Sequence, residues 1–333
     1  MRFSDCLGHD KPISIINSYI EKNCFSGAYI FSGPEGIGKK MVAKIIAQAL
    51  NCTSGTDKPQ GDGLASNSQS HKPCGSCPSC LKTEKAQHPD LHIIENGESQ
   101  IKIEDIRAIQ RQANFRPYEG AMQIFIIDNA HRLNPEASNS LLKLLEEPPR
   151  DCLFILVTHK LQTIFKTVLS RCKLIKFAPL ARAGLESILI KDYSLDKQAA
   201  HFLAYYGEGR LGLALKLKDS RIAEEKNRIF DSFLLSEKPL DRNLAGQNKE
   251  QLRAFLNILA SWFRDIYLLK AGLTQREAIH ADREGDLLEA SRKFSFRQLD
   301  DIISGISESF LYLDNNINTK LLLHNLGAQL WKA

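Results

Sequence analysis

The stretch Ala28-Tyr29-Ile30-Phe31-Ser32-Gly33-Pro34-Glu35-Gly36-Ile37-Gly38-Lys39-Lys40 decides the architecture. A short apolar run ends in a glycine-rich turn, after which Met41, Val42, Ile45, Ile46 and Ala49 recur at helical spacing. Strand, glycine loop and helix in that order make the setting of a phosphate-binding loop. Glycines let successive backbone N–H groups converge on phosphate oxygens, the helix adds its positive N-terminal end, and Lys39 supplies a point charge. The match from Gly33, Gly36 and Gly38 to Lys39 fails only at its last position. A Ser or Thr hydroxyl belongs there to hold Mg²⁺, but Lys40 stands in its place, and an ammonium cannot ligate a cation. On the residues alone the loop is either a turn kept for folding or a nucleotide cradle without turnover.

Working outward, Leu91 to Ile94, Ile124 to Ile127, Leu153 to Val157 and Leu174 to Phe177 read as further strands. Ile103 to Ala113 reads as a helix with Ile106 and Ile109 inward. Asn134-Pro135 starts another helix, with Asn as cap and Pro at the first helical position, and Glu146-Glu147-Pro148-Pro149 stops it. Continuous apolar strands separated by helices predict a parallel sheet covered on both faces. After Pro179 the strand signals end. Helical patterns follow at Gln198 to Tyr206 and Leu211 to Lys218, then as wide apolar stripes at Leu252 to Leu269 and Leu299 to Leu313. The expected division is an α/β core at 1–178, a small helical lid at 179–220 and a helical domain at 221–333, in keeping with a chain of 333 residues.

Composition narrows the class. Hydrophobic residues at 43% and charged residues at 25% exclude a disordered chain, and a net charge of +5 permits a local basic face without naming a partner. No apolar run reaches the roughly 18 to 20 residues of a membrane-spanning helix. Met1 to Lys11 lacks a hydrophobic signal core, so the expected location is the cytoplasm and no membrane partner is expected. In that compartment eight cysteines point to metal or redox chemistry rather than to structural disulfides.

Two further groups carry chemistry. The strand Ile124 to Ile127 delivers Asp128, a partner for a metal, and then Asn129 where an active ATPase of this type carries a Glu to polarise water. Cys74, Cys77 and Cys80 sit at two-residue gaps, preceded by Cys52 at the end of the first helix after the loop; four thiolates make the closed tetrahedral site of structural zinc, with redox-active thiols the competing reading. His71 or His88 is the alternative fourth ligand. Cys6, Cys24, Cys152 and Cys172 read as small hydrophobes. The segment Thr53 to Pro73 is polar and reads as a surface insertion, so the zinc module with its insertion spans about 52–90. Arg171, in Leu169-Ser170-Arg171-Cys172, is by spacing alone an ordinary surface arginine. Arg107, Arg111 and Arg116 fall on or just after one helix, a pattern of a solvated face or of phosphate contact.

Together these residues resemble the clamp-loader subunits of bacterial DNA polymerase III, an AAA+ family, and most closely the delta prime type. The resemblance rests on Gly33 to Lys39, the four cysteines, His88-Pro89-Asp90, Ile126 to His131 (IIDNAH), Leu141 to Pro149 (LLKLLEEPP) and Leu169 to Cys172 (LSRC). It implies an AAA+ P-loop α/β core with an inserted zinc module, a helical lid and a C-terminal helical collar that holds a hetero-pentamer of this chain with gamma/tau and delta subunits. It also implies a sliding clamp and primed DNA as partners of the assembled complex, Zn²⁺ as a structural ion, and ATP with Mg²⁺ in the neighbouring subunits. Arg171 is then a finger completing a neighbour's ATP site. Lys40 and Asn129 fit a stator, as does Gly212 where motor subunits carry an arginine. Gly33, Gly36, Gly38, Lys39, Lys40, Asp128, Asn129 and Thr158 form a degenerate nucleotide site. The collar match rests on Asn316-Ile317-Asn318, Leu321 and Leu322, and the gap between Cys52 and Cys74 exceeds the family's usual one. An active gamma/tau-type motor, or a stand-alone zinc-dependent DNA-binding protein, are the competing functions.

Overall fold

A computed structural model describes residues 8–22, 24–55, 73–97, 99–220, 222–231, 249–272, 278–315 and 326–327. Most of the polar insertion, His71, Cys6 and the residues Asn316 to Leu322 lie outside the described residues. The chain forms two compact units, Met1–Leu185 with Glu208–Leu213, and Glu186–Gly207 with Ala214–Ala333.

The first unit is built on five strands, β1 (Gly27–Ser32), β2 (Leu91–Ile94), β3 (Gln123–Ile127), β4 (Cys152–Thr158) and β5 (Lys173–Lys176), in the order β2-β3-β4-β1-β5. Every pairing is parallel. Side chains alternate between two apolar layers, as the pleat requires. Tyr29, Phe31, Ile124, Ile126, Leu153 and Ile155 face α1 (Asp10–Glu21) and α2 (Lys39–Leu50), through Ile16, Ile20, Val42, Ile45 and Ile46. Ile30, Phe125, Ile127, Phe154 and Leu156 meet Ile106, Ile109, Leu141, Leu144 and Leu145 on the other side. Those residues belong to α4 (Ile103–Ala113) and α5 (Pro135–Glu146), which follow the short α3 (Pro78–Glu84). Covering both faces explains why the strands read as unbroken apolar runs. The Asn134 side chain accepts from the Ala137 amide at 2.7 Å, so the cap read from the sequence forms. β5 begins one residue before the expected start, because as an edge strand it leaves Leu174 39% exposed and carries little apolar signal.

After α6 (Lys166–Leu169) come α7 (Arg182–Lys191), α8 (Lys197–Tyr206), α9 (Leu211–Asp219), α10 (Ile222–Ile229), α11 (Lys249–Lys270), α12 (Glu284–Lys293) and α13 (Phe296–Asp314). In the second unit, Leu252, Phe255, Leu256, Leu259, Trp262, Phe263 and Ile266 on α11, with Leu299, Ile302 and Ile306 on α13, are all buried. A polar chain threads this core. Tyr206 Oη lies 2.5 Å from Ser261 Oγ, Ser261 Oγ lies 2.9 Å from His280 Nε2, and the His280 amide donates to Asp265 Oδ2 at 2.9 Å. Among the described residues no helix is long and apolar enough to cross a membrane.

Candidate functional site

The carboxyl ends of β1, β3 and β4 lie side by side, which brings the loop Gly33 to Lys39, Asp128 and Thr158 to one edge of the sheet. Gly33 is required there, since a Cβ would sit 2.3 Å from the Phe177 carbonyl oxygen. Gly38 caps α2 at φ +96°, a conformation open to glycine at little cost. Lys39 is 6% exposed, and its ammonium donates to the carbonyls of Gly33 at 2.7 Å and Pro34 at 2.5 Å. Burial pulls its pKa down to about 8 against the opposing pull of Asp128 and Glu35.

Lys40 shows why the last motif position matters. Its ammonium pairs with Glu95, just past β2, and with Asp128 Oδ2 at 3.4 Å. The other Asp128 oxygen accepts the Asn129 amide at 3.0 Å. Asp128 thus meets a cation that belongs to the chain, and these residues do not fit a divalent metal ion: the carboxylate that would ligate it is already faced by a positive charge. Asn129 adopts φ +53°, a left-handed conformation that Asn tolerates better than most side chains. Thr158, the last residue of β4, places its hydroxyl 3.4 Å from His131 Nδ1 and accepts the Lys160 amide at 3.0 Å. Gly212 donates its amide to the Gly36 carbonyl at 2.8 Å, and a Cβ at Gly212 would lie 2.8 Å from that same oxygen. A side chain at 212 therefore has no room unless the loop moves.

The four cysteines converge. The sulfurs of Cys52, Cys74, Cys77 and Cys80 all lie within 4.8 Å of one another, with Cys52–Cys77 at 3.9 Å and Cys74–Cys80 at 4.0 Å. A tetrahedron with metal–sulfur arms of about 2.3 Å has edges of about 3.8 Å, so the donor set and spacing fit Zn²⁺. Cys77 caps α3, its sulfur accepting the Cys80 amide at 3.4 Å. Hydrogen bonds from the Ser54 hydroxyl and the Ser76 and Cys77 amides hold the Cys74 thiol down at about 5. Burial pushes the Cys80 thiol well up, and a bound cation would offset that. His88 is engaged elsewhere: its Nδ1 accepts the Asp90 amide at 3.1 Å, and its Nε2 faces Glu119 Oε1 at 3.6 Å.

The cluster is bolted to the sheet unit by polar side chains, of which the sequence reading singles out Asp90 alone. Gln48 donates to the Cys80 carbonyl at 2.9 Å and Ser79 to the Asn51 carbonyl at 2.6 Å. Asn51 Oδ1 accepts the amides of Ala121 and Met122 at 2.9 and 3.0 Å. Asp90, 1% exposed, accepts the amides of Tyr118, Glu119 and Gly120 at 2.6, 2.9 and 2.7 Å, which fixes the loop between α4 and β3. Those three bonds outweigh burial and hold the Asp90 carboxyl below its usual pKa. The motif His88-Pro89-Asp90 was the available signal.

Arg171 follows α6, away from the loop's lysines in sequence and held by a different partner. Its Nε donates to Glu146 Oε1 at 2.6 Å and its Nη2 pairs with the same oxygen. Its Nη1 donates to the Thr167 carbonyl at 2.9 Å and to Ser170 Oγ at 3.2 Å.

A parallel five-stranded sheet, a glycine loop and lysine between β1 and α2, and an acidic residue at the end of β3 define an AAA+-like P-loop protein with a helical C-terminal region. Residues 8–181 match the family described as "DNA polymerase III, delta subunit", and residues 228–330 match "DNA polymerase III, delta subunit, C terminal". The chain belongs to this family of clamp-loader subunits of DNA polymerase III. Among its relatives, DNA polymerase III subunit delta' of Bacillus subtilis is 24% identical over 329 residues, covering 96% of this chain and 95% of that protein. Subunit tau of Escherichia coli is 32% identical over 232 residues, 68% of this chain but 34% of that longer protein. A solved DNA polymerase III gamma subunit-related protein from Thermotoga maritima matches 97% of this chain and 99% of that chain at 16% identity and a TM-score of 0.40, which sets no constraint on the geometry described above.

Proposed function

We propose that this chain is a non-hydrolysing stator of the DNA polymerase III clamp loader, a delta prime-type subunit that helps place the sliding clamp on primed DNA with ATP hydrolysed by its neighbours. The observation that carries the reading is the contact between the Lys40 ammonium and Asp128 at 3.4 Å. A triphosphate is split by water when a metal neutralises phosphate charge and a positioned group orients the attacking water. Here the metal's carboxylate faces a lysine, and the residue after it is Asn129, which is no base. Relatives named as the delta' and tau subunits support a place among the subunits of that complex, and the reading sets the chain beside ATP-hydrolysing partners in a hetero-pentamer with gamma/tau and delta subunits.

On this reading residues 179–220 are the lid and 221–333 the collar that holds the ring. Zn²⁺ held by Cys52, Cys74, Cys77 and Cys80 is structural: four thiolates leave no open coordination position. Arg171 reaches a neighbour's ATP site, where its planar guanidinium stabilises the charge that spreads over the transferred phosphoryl oxygens. Steady-state ATPase of the reconstituted complex tests this. Arg171→Ala should lower turnover by about a thousandfold at the site it serves, the low end of the range for such fingers, with the complex intact by gel filtration. Unchanged turnover in an intact complex removes the assignment.

A further inference from the structure

Glu146 is the last residue of α5 and belongs to the Glu146-Glu147-Pro148-Pro149 stop, which the sequence explains fully as a helix terminator. Its carboxylate has a second relation that helix termination does not require. A guanidinium carries five N–H donors, and in Arg171 four of them are taken: Nε and Nη2 by Glu146 Oε1, and two on Nη1 by the Thr167 carbonyl and Ser170 Oγ. Arginine commonly grips a phosphoryl group with two parallel N–H donors facing outward. One remains.

We infer that Glu146 parks the Arg171 finger, so that the guanidinium must leave this carboxylate before it can serve a neighbour's phosphate. The inference rests on the trans-finger reading above. The chemistry favours parking over positioning. Glu146 is an anion, as is the phosphate that the finger would engage, so the two compete for the same N–H groups. A carboxylate left beside the loaded finger would repel the charge that the finger serves. The negative end of α5 adds to the hold on the parked cation. The hold is also weak enough to be reversible, since Glu146 is 49% and Arg171 33% exposed and water competes for the pair. The charge that develops on the transferring phosphoryl group of the adjacent subunit thereby draws the finger out, and the carboxylate takes it back when the phosphate leaves.

An exposed pair of this kind is broken at a cost that corresponds to roughly a two- to fivefold population change. The test is steady-state ATPase of the loader reconstituted with the natural chain, Glu146→Ala, Glu146→Asp, Arg171→Ala and the double variant Glu146→Ala with Arg171→Ala. Parking predicts that Glu146→Ala raises kcat by about two- to fivefold with KM unchanged, that Glu146→Asp lies between it and the natural chain, and that Glu146→Ala has no effect once Arg171 is gone. A Glu146→Ala complex with unchanged or lowered kcat, while Arg171→Ala still lowers turnover, overturns parking and leaves the finger standing. Unchanged turnover in Arg171→Ala itself removes the finger, and parking with it.

Discussion

Replacing Lys40 by Thr restores the hydroxyl that a metal-dependent phosphate loop carries, and it should create a magnesium response that the natural chain lacks. The Lys40 and Asp128 side chains are 27% and 16% exposed and 3.4 Å apart. A divalent cation seated on Asp128 would stand about 4 Å from the ammonium. Two charges against one at that separation repel by about 8 kcal/mol at an effective dielectric of 20, and by about 2 kcal/mol even at the value of bulk water. The lower figure is the appropriate one, because Lys40 is partly exposed and its flexible stem can swing aside. It corresponds to roughly thirtyfold in Kd. The assay is calorimetric titration of a non-hydrolysable ATP analogue in Mg²⁺ and in EDTA. The natural chain should give the same titration in both buffers, and Lys40→Thr should bind about thirtyfold tighter in Mg²⁺ than in EDTA. If Mg²⁺ strengthens nucleotide binding by the natural chain as much as by Lys40→Thr, the lysine is not standing in the metal's place and the reasoning fails.

Metal analysis of protein purified under reducing conditions should find about one equivalent of zinc, and Cys77→Ser should lose it; less than half an equivalent in the natural chain would defeat the closed four-sulfur site. The helical unit carries two buried groups with opposing pH responses. Burial lowers the His280 pKa to about 2, helped by nearby Lys226, so as pH falls through 6.5 the unfolded imidazole takes up a proton that the folded one refuses, and stability drops by about 1.4 kcal/mol per pH unit. Burial raises the Asp265 pKa to about 6, against the His280 amide and Arg264, so between 6 and 3.8 the folded carboxyl binds a proton that the unfolded one does not, and stability rises by about as much. Urea unfolding followed by tryptophan fluorescence should therefore be nearly level in this unit between about pH 6 and 4, whereas Asp265→Asn should lose about 1.4 kcal/mol per pH unit; a level profile in the variant would show that His280 titrates normally.

The elements that could be read from the sequence are those whose burial is periodic or complete. β3 and β4 are buried at every position and α11 shows a wide apolar stripe, so their patterns name them. α12 was not legible because Leu287 is its one buried residue, and a polar helix leaves little signal. At the phosphate loop each residue was legible separately, but the Lys40–Asp128 contact was not, since it depends on the register that sets β1, β4 and β3 side by side. Glu95 gave no signal and Glu146 only that of a helix stop: each is an exposed acid at the end of an element, and only the fold decides which cation it meets. Among the four cysteines, Cys52 was the uncertain ligand because a long polar segment separates it from the other three, and the fold closes that gap.

The proposed stator does not split ATP itself and keeps Lys40 where the metal would be. The most direct measurement is steady-state phosphate release by the isolated, purified chain in ATP and Mg²⁺, with Lys39→Ala as the control for contaminating activity. No turnover above that control is expected. Catalytic release by the natural chain that disappears in Lys39→Ala would contradict the proposal.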